Sequence, residues 1–250
     1  MSDTHRSTPC PQVSCQACSL NRLCLPASLS DDEVDQLDRI VRRNRPLNKG
    51  EYLFRAGESM QQVFVLRSGA LKSYLLDDNG VERVTGFVLP GEMLGLDAIG
   101  SARFHNFAMA LRISLVCTID LEQLENLSGR IPGLRRQLLH ILSQGIQGER
   151  EHHSCSRERA DRRLASFLLG LSARYRRCGL SQDQLTLSMT RCEIGNYLDL
   201  TMETISRLFT RFVQAGLIEY HGREVRLLDR LGLYRLCGLE ELRGIPSSRF

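Results

Sequence analysis

The stretch TRCEIGNYLDLTMETISRLFTRFVQAG, residues 190–216, constrains the fold of this chain more than any other. Thr190 and Glu193 have the spacing of a capping box, in which the two residues satisfy each other's backbone donors at a helix start. They open a helix through about residue 198. A turn at 199–201 leads into a second helix over 202–215, which Gly216 ends. Gly195 is small where the first helix must approach the second, and Leu198, Ile205, Leu208 and Phe212 form the buried side. LIEYHGREVRLL then reads as a hairpin with His221–Gly222 at its tip. Helix, tight turn, helix and hairpin make a winged helix-turn-helix, whose second helix enters a DNA major groove. An ordinary helix pair with a charged outer face would not need the small residue, the turn and both caps at these offsets.

Charge agrees with that reading. Residues 157–250 hold 16 arginines, no lysine and 11 acidic residues, whereas residues 1–156 are nearly balanced at −1. Arginine suits bidentate contact with phosphate and guanine. On the second helix Glu203, Ser206 and Arg207 share the face opposite Ile205, Leu208 and Phe212, within its first two turns. Arg207 can fork to guanine O6 and N7, Glu203 can accept from cytosine N4, and Ser206 can bond a base or a phosphate. Arg191, Arg211 and Arg223 are expected to contact phosphates, which hold register without reading sequence.

The preceding chain has a different rhythm. LSDDEVDQLDRIVRR, residues 29–43, reads as an amphipathic helix with a Ser30–Glu33 capping box and a Leu29–Val34 staple. From 46 to about 120, short apolar runs (EYLF, QVFVLRSG, ALKSYLL, VTGFVL, VCTIDL) alternate with glycine-marked turns. That pattern predicts a β-roll rather than a βαβ sheet, with a hairpin turn at DDNG, residues 77–80. A short helix, LEQLENLSG, precedes a long one from Pro132 to about residue 159. Leu134, Leu138, Ile141 and Gly145 recur at helical spacing, as core packing or as a dimer seam. Beyond Ile146 the sequence is almost all polar, and His152 and His153 read as solvated side chains, since adjacent helical positions face different ways. Another helix is expected over 159–177.

CQACSLNRLC, residues 15–24, carries three cysteines at C-x2-C-x5-C spacing. The N-terminus lacks the basic-then-apolar order of a signal peptide, and no run of about 18 apolar residues exists to span a membrane. The chain is expected to be cytoplasmic. Nine cysteines in 250 residues are not the even, closely spaced set of a secreted disulfide framework. Three thiolates on one loop can instead surround an inorganic centre, with Cys117 in the strand-like SLVCTID as the best fourth ligand. Soft thiolates select zinc or an iron–sulfur cluster, and composition does not choose between them.

ETISRLFTRF after EIGNYL closely resembles the DNA-binding segment of the Crp–Fnr family of bacterial transcription regulators. The order β-roll, long helix, winged helix-turn-helix is similar to that family along nearly the whole chain. The resemblance implies that Glu203, Ser206 and Arg207 read the operator, and this combination is similar to the Fnr branch, whose half-site is TTGAT. It implies further that Cys15, Cys18, Cys24 and Cys117 hold a [4Fe–4S] cluster that oxygen removes or converts. The surface around residues 77–80 corresponds to one through which such activators touch RNA polymerase. Cys10 lies upstream of the spacing, and Cys155, Cys178, Cys192 and Cys237 read as ordinary thiols. Best-known members bind cyclic AMP through an Arg-Ser pair after a Gly-Glu. Here Gly91–Glu92 is followed by RFHNFAMAL, with Asn106 and Phe107 where Arg and Ser would stand. Neither can neutralise a cyclic phosphate, and Arg103 is at the wrong spacing, so no cyclic nucleotide is expected.

The expected architecture is α+β. Residues 1–29 are a cluster-binding segment, 30–130 a β-roll sensory domain of cyclic-nucleotide-binding type, 131–158 a dimerisation helix and 159–250 the DNA-binding domain. The chain is expected to act as a homodimer on double-stranded DNA, with Leu138, Ile141 and Ile146 at the seam, and not as an enzyme. In the family the dimer helix stays apolar where this chain has EHHSCSRER, which weakens a hydrophobic seam. A zinc-stabilised or thiol-redox regulator lacking the cluster is the alternative. An electron-transfer enzyme would have no use for a basic winged helix-turn-helix, and a haem-based sensor none for four aligned cysteines.

Overall fold

Capping at Ser30 takes the form its spacing predicts: Glu33 N–H donates to the serine hydroxyl and Ser30 N–H donates to the Glu33 carboxylate. The helix it opens, α1 (Asp31–Ile40), is shorter than expected. Residues 41–43 turn extended and become β1 (Val41–Arg43), which pairs antiparallel with β8 (Leu115–Asp120). The amphipathic run would have allowed helix here, but Val41 is buried and gains a ladder partner in Ile119. The computed structural model describes residues 13–155 and 158–238.

In the first unit, which ends at Leu142, the predicted runs form β2 (Tyr52–Phe54), β3 (Gln62–Ser68), β4 (Leu71–Leu76) and β5 (Glu82–Val88). Two short strands, β6 (Met93–Leu94) and β7 (Phe107–Ala110), join them. All pairs are antiparallel, in two four-stranded sheets ordered β1-β8-β3-β6 and β2-β7-β4-β5, the β-roll the sequence predicts. At the β4–β5 turn Asp77 Oδ1 accepts from the backbone of Asn79 and Val81. Gly69 joins β3 to β4 at φ +99°, where a Cβ would lie 2.2 Å from Ser114 Oγ, so no other residue fits that turn.

Apolar faces of both sheets fill the core, where Phe54 stacks on Phe104 at 3.9 Å. Truncating such a fully buried phenylalanine typically costs about 3–5 kcal/mol. The helices α2 (Leu121–Arg130) and the start of α3 (Pro132–Cys155) cover this unit. Leu134 is fully buried, and Leu138 and Ile141 pack half-buried against the same core. Gly133 leaves room for Leu29, whose Cδ2 lies 3.2 Å from where a Cβ would stand.

From Ser143 the second unit contains the rest of α3, then α4 (Ala160–Arg177), β9 (Gln184–Thr186), α5 (Arg191–Tyr197), α6 (Met202–Gln214), β10 (Ile218–His221), β11 (Glu224–Leu227) and α7 (Arg230–Leu236). Strands β10, β11 and β9 form one sheet, and His221 pairs with Glu224, so the hairpin tip is Gly222–Arg223, one residue later than expected. No helix among the described residues is long and apolar enough to cross a membrane.

Candidate metal centre and nucleic-acid interface

Cys15, Cys18 and Cys24 lie on a loop of successive turns ahead of α1, with Cys18 N–H donating to the Cys15 carbonyl and Cys24 N–H to that of Leu20. Pro26 in the short 3-10 turn after Cys24 stops the loop, and Leu25 anchors it in the core. Cys117 projects from the middle of β8, flanked by Arg43 on β1 and Val65 on β3. These four cysteines, 93 residues apart at the widest gap between Cys24 and Cys117, line one pocket. The remaining wall is mostly apolar (Leu20, Leu25, Pro26, Leu37, Val41, Val65, Ile119), with Asn21 and Arg67 as its polar members.

The donors are all soft thiols, and no carboxylate or imidazole lines the pocket. That donor set fits zinc or an iron–sulfur cluster. Among the described residues no three His, Cys, Asp or Glu side chains converge closely enough for one metal ion. An iron–sulfur cluster would be held by the four thiols that line this pocket together.

Burial dominates the acid–base chemistry. It pushes the Cys24 thiol up to about 12, against a hydrogen bond from the Leu25 backbone that works the other way. Burial likewise raises Cys117, opposed by the charges of Arg43 and Arg67. Cys15 is raised by burial and by its hydrogen bond to the Asp38 carboxylate. Asp38 accepts from the Cys15 backbone N–H at 2.7 Å and forms an ion pair with Arg43. Burial opposes ionisation of Asp38, but the hydrogen bonds from Cys15 and Arg43 outweigh it and hold the carboxyl below its ordinary value. None of these second partners was legible in the sequence.

Asn106 and Phe107 stand in a crowded part of the roll. Phe107 stacks on Tyr74 at 5.0 Å and meets Tyr52 edge-on at 6.2 Å, while the two tyrosine hydroxyls bond each other at 2.9 Å. Asn106 Nδ2 donates to Asp97 at 3.4 Å, and Arg103 is engaged by the Gly57 carbonyl at 2.6 Å.

In the second unit the helix pair has the predicted geometry. Thr190 and Glu193 form a full capping box, and Thr201 caps α6 by accepting from Thr204 N–H. A Cβ on Gly195 would lie 2.6 Å from the Leu200 carbonyl, which itself follows the left-handed Asp199 at φ +52°. Arg163 on α4 donates to the Leu198 carbonyl at 2.9 Å and to that of Asp199 at 3.4 Å, holding the turn from behind. Sequence reasoning missed Arg163, because its target is backbone 35 residues away.

Ile205, Leu208, Phe209 and Phe212 bury one face of α6, and Glu203, Ser206 and Arg207 are exposed on the other. Ser206 Oγ donates to the Met202 carbonyl at 2.9 Å. Neither Glu203 nor Arg207 has a hydrogen bond or ion pair among the described residues, so both can engage a ligand.

The arginines expected to contact phosphates each have an internal partner in the free chain. Arg191 lies 3.2 Å over the Phe209 ring and near Tyr220, and its burial there lowers its basicity. Arg211 pairs with the buried Asp161 at 3.0 Å, and Arg223 reaches the Ser188 carbonyl at 3.4 Å. His152, expected in solvent, stacks on Tyr197 at 4.3 Å. Of the expected seam residues, Ile146 is 57% exposed, while Leu138 and Ile141 face their own core; Leu139, which was not among them, is 60% exposed. Cys192 is exposed, Cys178 is half-buried, and Cys237 donates to the Arg162 carbonyl. Cys10 and the side chains of His153 and Cys155 lie outside the described residues.

Comparison with known proteins agrees with this fold. Residues 44–130 match the cyclic nucleotide-binding domain model and residues 162–236 the Crp-like helix-turn-helix domain model. The chain is 47% identical over 239 residues to the transcriptional activator protein Anr of Pseudomonas aeruginosa, covering 95% of this chain and 98% of that one. It is 42% identical to the fumarate and nitrate reduction regulatory protein of Escherichia coli, covering 90% and 91% respectively. Among solved structures it is similar to FixK2 from Bradyrhizobium japonicum, at TM-score 0.71 and 27% identity, over 78% of this chain and 97% of that one.

Proposed function

The chain belongs to the Crp–Fnr family of transcription regulators, and from that premise we propose that it senses oxygen through a [4Fe–4S] cluster held by Cys15, Cys18, Cys24 and Cys117. The observation that carries this reading is the pocket itself, lined by these four thiols and by no carboxylate or imidazole. The cluster, when bound, supplies reactivity toward oxygen. The chain's own residues bind it, exclude water with the apolar wall and tie its presence to the start of α3. That tie is visible at Cys24, whose carbonyl accepts from Gln137 on α3 at 3.4 Å, and at Leu29 beside Gly133.

As a cluster-bound homodimer the protein binds double-stranded DNA at two-fold sites with TTGAT half-sites. Arg207, Glu203 and Ser206 read bases, and Arg191 and Arg211 hold phosphates once released from their internal partners. The exposed β4–β5 turn engages RNA polymerase. Cyclic nucleotides are not ligands, a reading supported by the Phe107–Tyr74 stack and the absence of an arginine at Asn106. A cytoplasmic location follows from this role.

Anaerobic purification with iron and sulfide analysis tests the reading. Broad visible absorbance and about four irons per chain are expected for a filled four-iron site. Single Ser substitutions at Cys15, Cys18, Cys24 or Cys117 should deplete both, while Cys178→Ser should not. A colourless protein carrying zinc would overturn the oxygen-sensing reading, and a full cluster in the Cys117 variant would overturn the fourth ligand.

A further inference from the structure

Arg43 is only 14% exposed at its side chain and belongs to a strand that the amphipathic pattern did not announce. Its contacts converge from two directions. On the loop side, its Nε donates to the Val13 carbonyl at 2.8 Å, and its Nη2 lies 3.8 Å from the Cys15 sulfur. That same Nη2 pairs with Asp38, whose carboxylate also holds the Cys15 backbone N–H at 2.7 Å. On the strand side, Arg43 is the ladder partner of Cys117. Val41, two residues before it, pairs with Ile119 and lines the cysteine pocket.

One residue thus joins the two stretches of chain that carry the first and last of the four cysteines, its guanidinium gripping the Cys15 loop and its backbone laddered to Cys117. A planar fork whose donors are spread over three nitrogens can reach a carbonyl, a carboxylate and a sulfur in different directions at once, whereas an ammonium offers all its donors from one nitrogen. Loops ahead of a first helix are ordinarily the first part of a domain to open. Here the opening is resisted at Val13, at Cys15 N–H and at the Cys15 sulfur, all through the Arg43–Asp38 pair.

We propose that Arg43, braced by Asp38, is the positioning residue of the cysteine centre, holding Cys15 in register with Cys117 before any inorganic group arrives. Its positive charge also faces the thiolates that ligation creates. The proposal rests on the reading of Cys15 and Cys117 as co-ligands, but its first consequence concerns the apo protein alone. Cys15 should be shielded from reagents by the brace and exposed when the brace is removed.

The test compares wild type, Arg43→Gln, Arg43→Lys and Asp38→Asn, with Arg42→Gln as a control at the exposed neighbour. In the apo protein, maleimide labelling mapped to the Cys15 peptide should be about tenfold faster in Arg43→Gln and Asp38→Asn, because loss of the brace raises the open fraction of the loop. Arg43→Lys should fall between, and Arg42→Gln should match wild type. After anaerobic reconstitution, cluster affinity should fall about 10- to 100-fold in Arg43→Gln, and its absorbance should bleach faster in air. If Arg43→Gln fails to fold by near-ultraviolet circular dichroism, Asp38→Asn carries the test, since it removes the other arm of the same brace. Unchanged Cys15 labelling together with unchanged cluster content would overturn the inference. A wild type that takes up no cluster would overturn the oxygen-sensing reading instead, while the labelling experiment would still decide the role of Arg43.

Discussion

The imidazole of His152, near the end of α3, lies flat against the ring of Tyr197 at the end of α5, with centroids 4.3 Å apart and planes inclined by 18°. Tyr197 in turn meets Phe167 of α4 at 5.9 Å. The first helix of the DNA-binding pair is therefore buttressed by two other helices of its unit. Such ring pairs contribute about 0.5–1.5 kcal/mol beyond their buried area. His152→Ala and Tyr197→Leu should each lower the stability of this unit, and the double variant should lose less than the sum. A double-mutant cycle by chemical denaturation measures that coupling, and strict additivity would show the stack to be energetically idle.

Base reading should separate from phosphate contact. Arg207→Ala is expected to cost about 1–3 kcal/mol per half-site and to relax preference at the guanine of TTGAT. Arg211→Ala should weaken all sequences alike and reduce the salt slope by about one phosphate per half-site. Because Asp161 competes for Arg211 in the free protein, Asp161→Asn should move affinity in the opposite direction at low salt. Titrations of matched and mismatched duplexes at several salt concentrations check all three, and unchanged discrimination in the Arg207 variant would reject α6 as the reading helix.

Of the three seam candidates, Ile146 should behave differently from Leu138 and Ile141. Ile146 and Leu139 are exposed and seven residues apart, so they share one side of α3. Ile146→Glu should block dimerisation and spare the cluster. Leu138→Ala and Ile141→Ala remove packing from the first unit's own core and should lower its stability by about 2 kcal/mol or more. Sedimentation and thermal unfolding separate these outcomes. A fully dimeric Ile146→Glu protein would move the seam elsewhere.

Alkaline pH should destabilise the apo protein. Burial holds the Cys24 thiol at about 12 in the folded chain, against 9.0 for an ordinary thiol. Between these values the unfolded chain has lost a proton that the folded chain retains, so stability falls as pH rises. The contribution is fully present below 9 and lost on approach to 12. Denaturant unfolding of apo wild type and Cys24→Ala across this window checks the sign, since the alanine variant should show the shallower decline.

The helix-turn-helix and the glycine-punctuated roll were legible because their determinants are local. A capping box needs two residues three apart, and the turn at Asp199 needs a small residue four positions earlier at Gly195. Strand β1 was not legible, since VRR extends an amphipathic helix as readily as it forms a strand. Pairing of Val41 with Ile119, 78 residues later, decided between them.

The same division runs through the site. The sequence by itself determined which side chains could act: thiols at metal-binding spacing, and Glu203, Ser206 and Arg207 on one helical face. Tertiary structure decided how those side chains are engaged. Arg191 and Arg211 look alike as charges, yet one lies on Phe209 and the other on Asp161, while Arg207 is left open. Arg43 looks like one more basic residue of a helix end, yet it stands across from Cys117 and clasps the Cys15 loop. The physical reason is range. Capping and periodicity act over a few residues of one chain segment, whereas ion pairs, ring stacks and pockets are made by segments that meet only after the sheets have set their register.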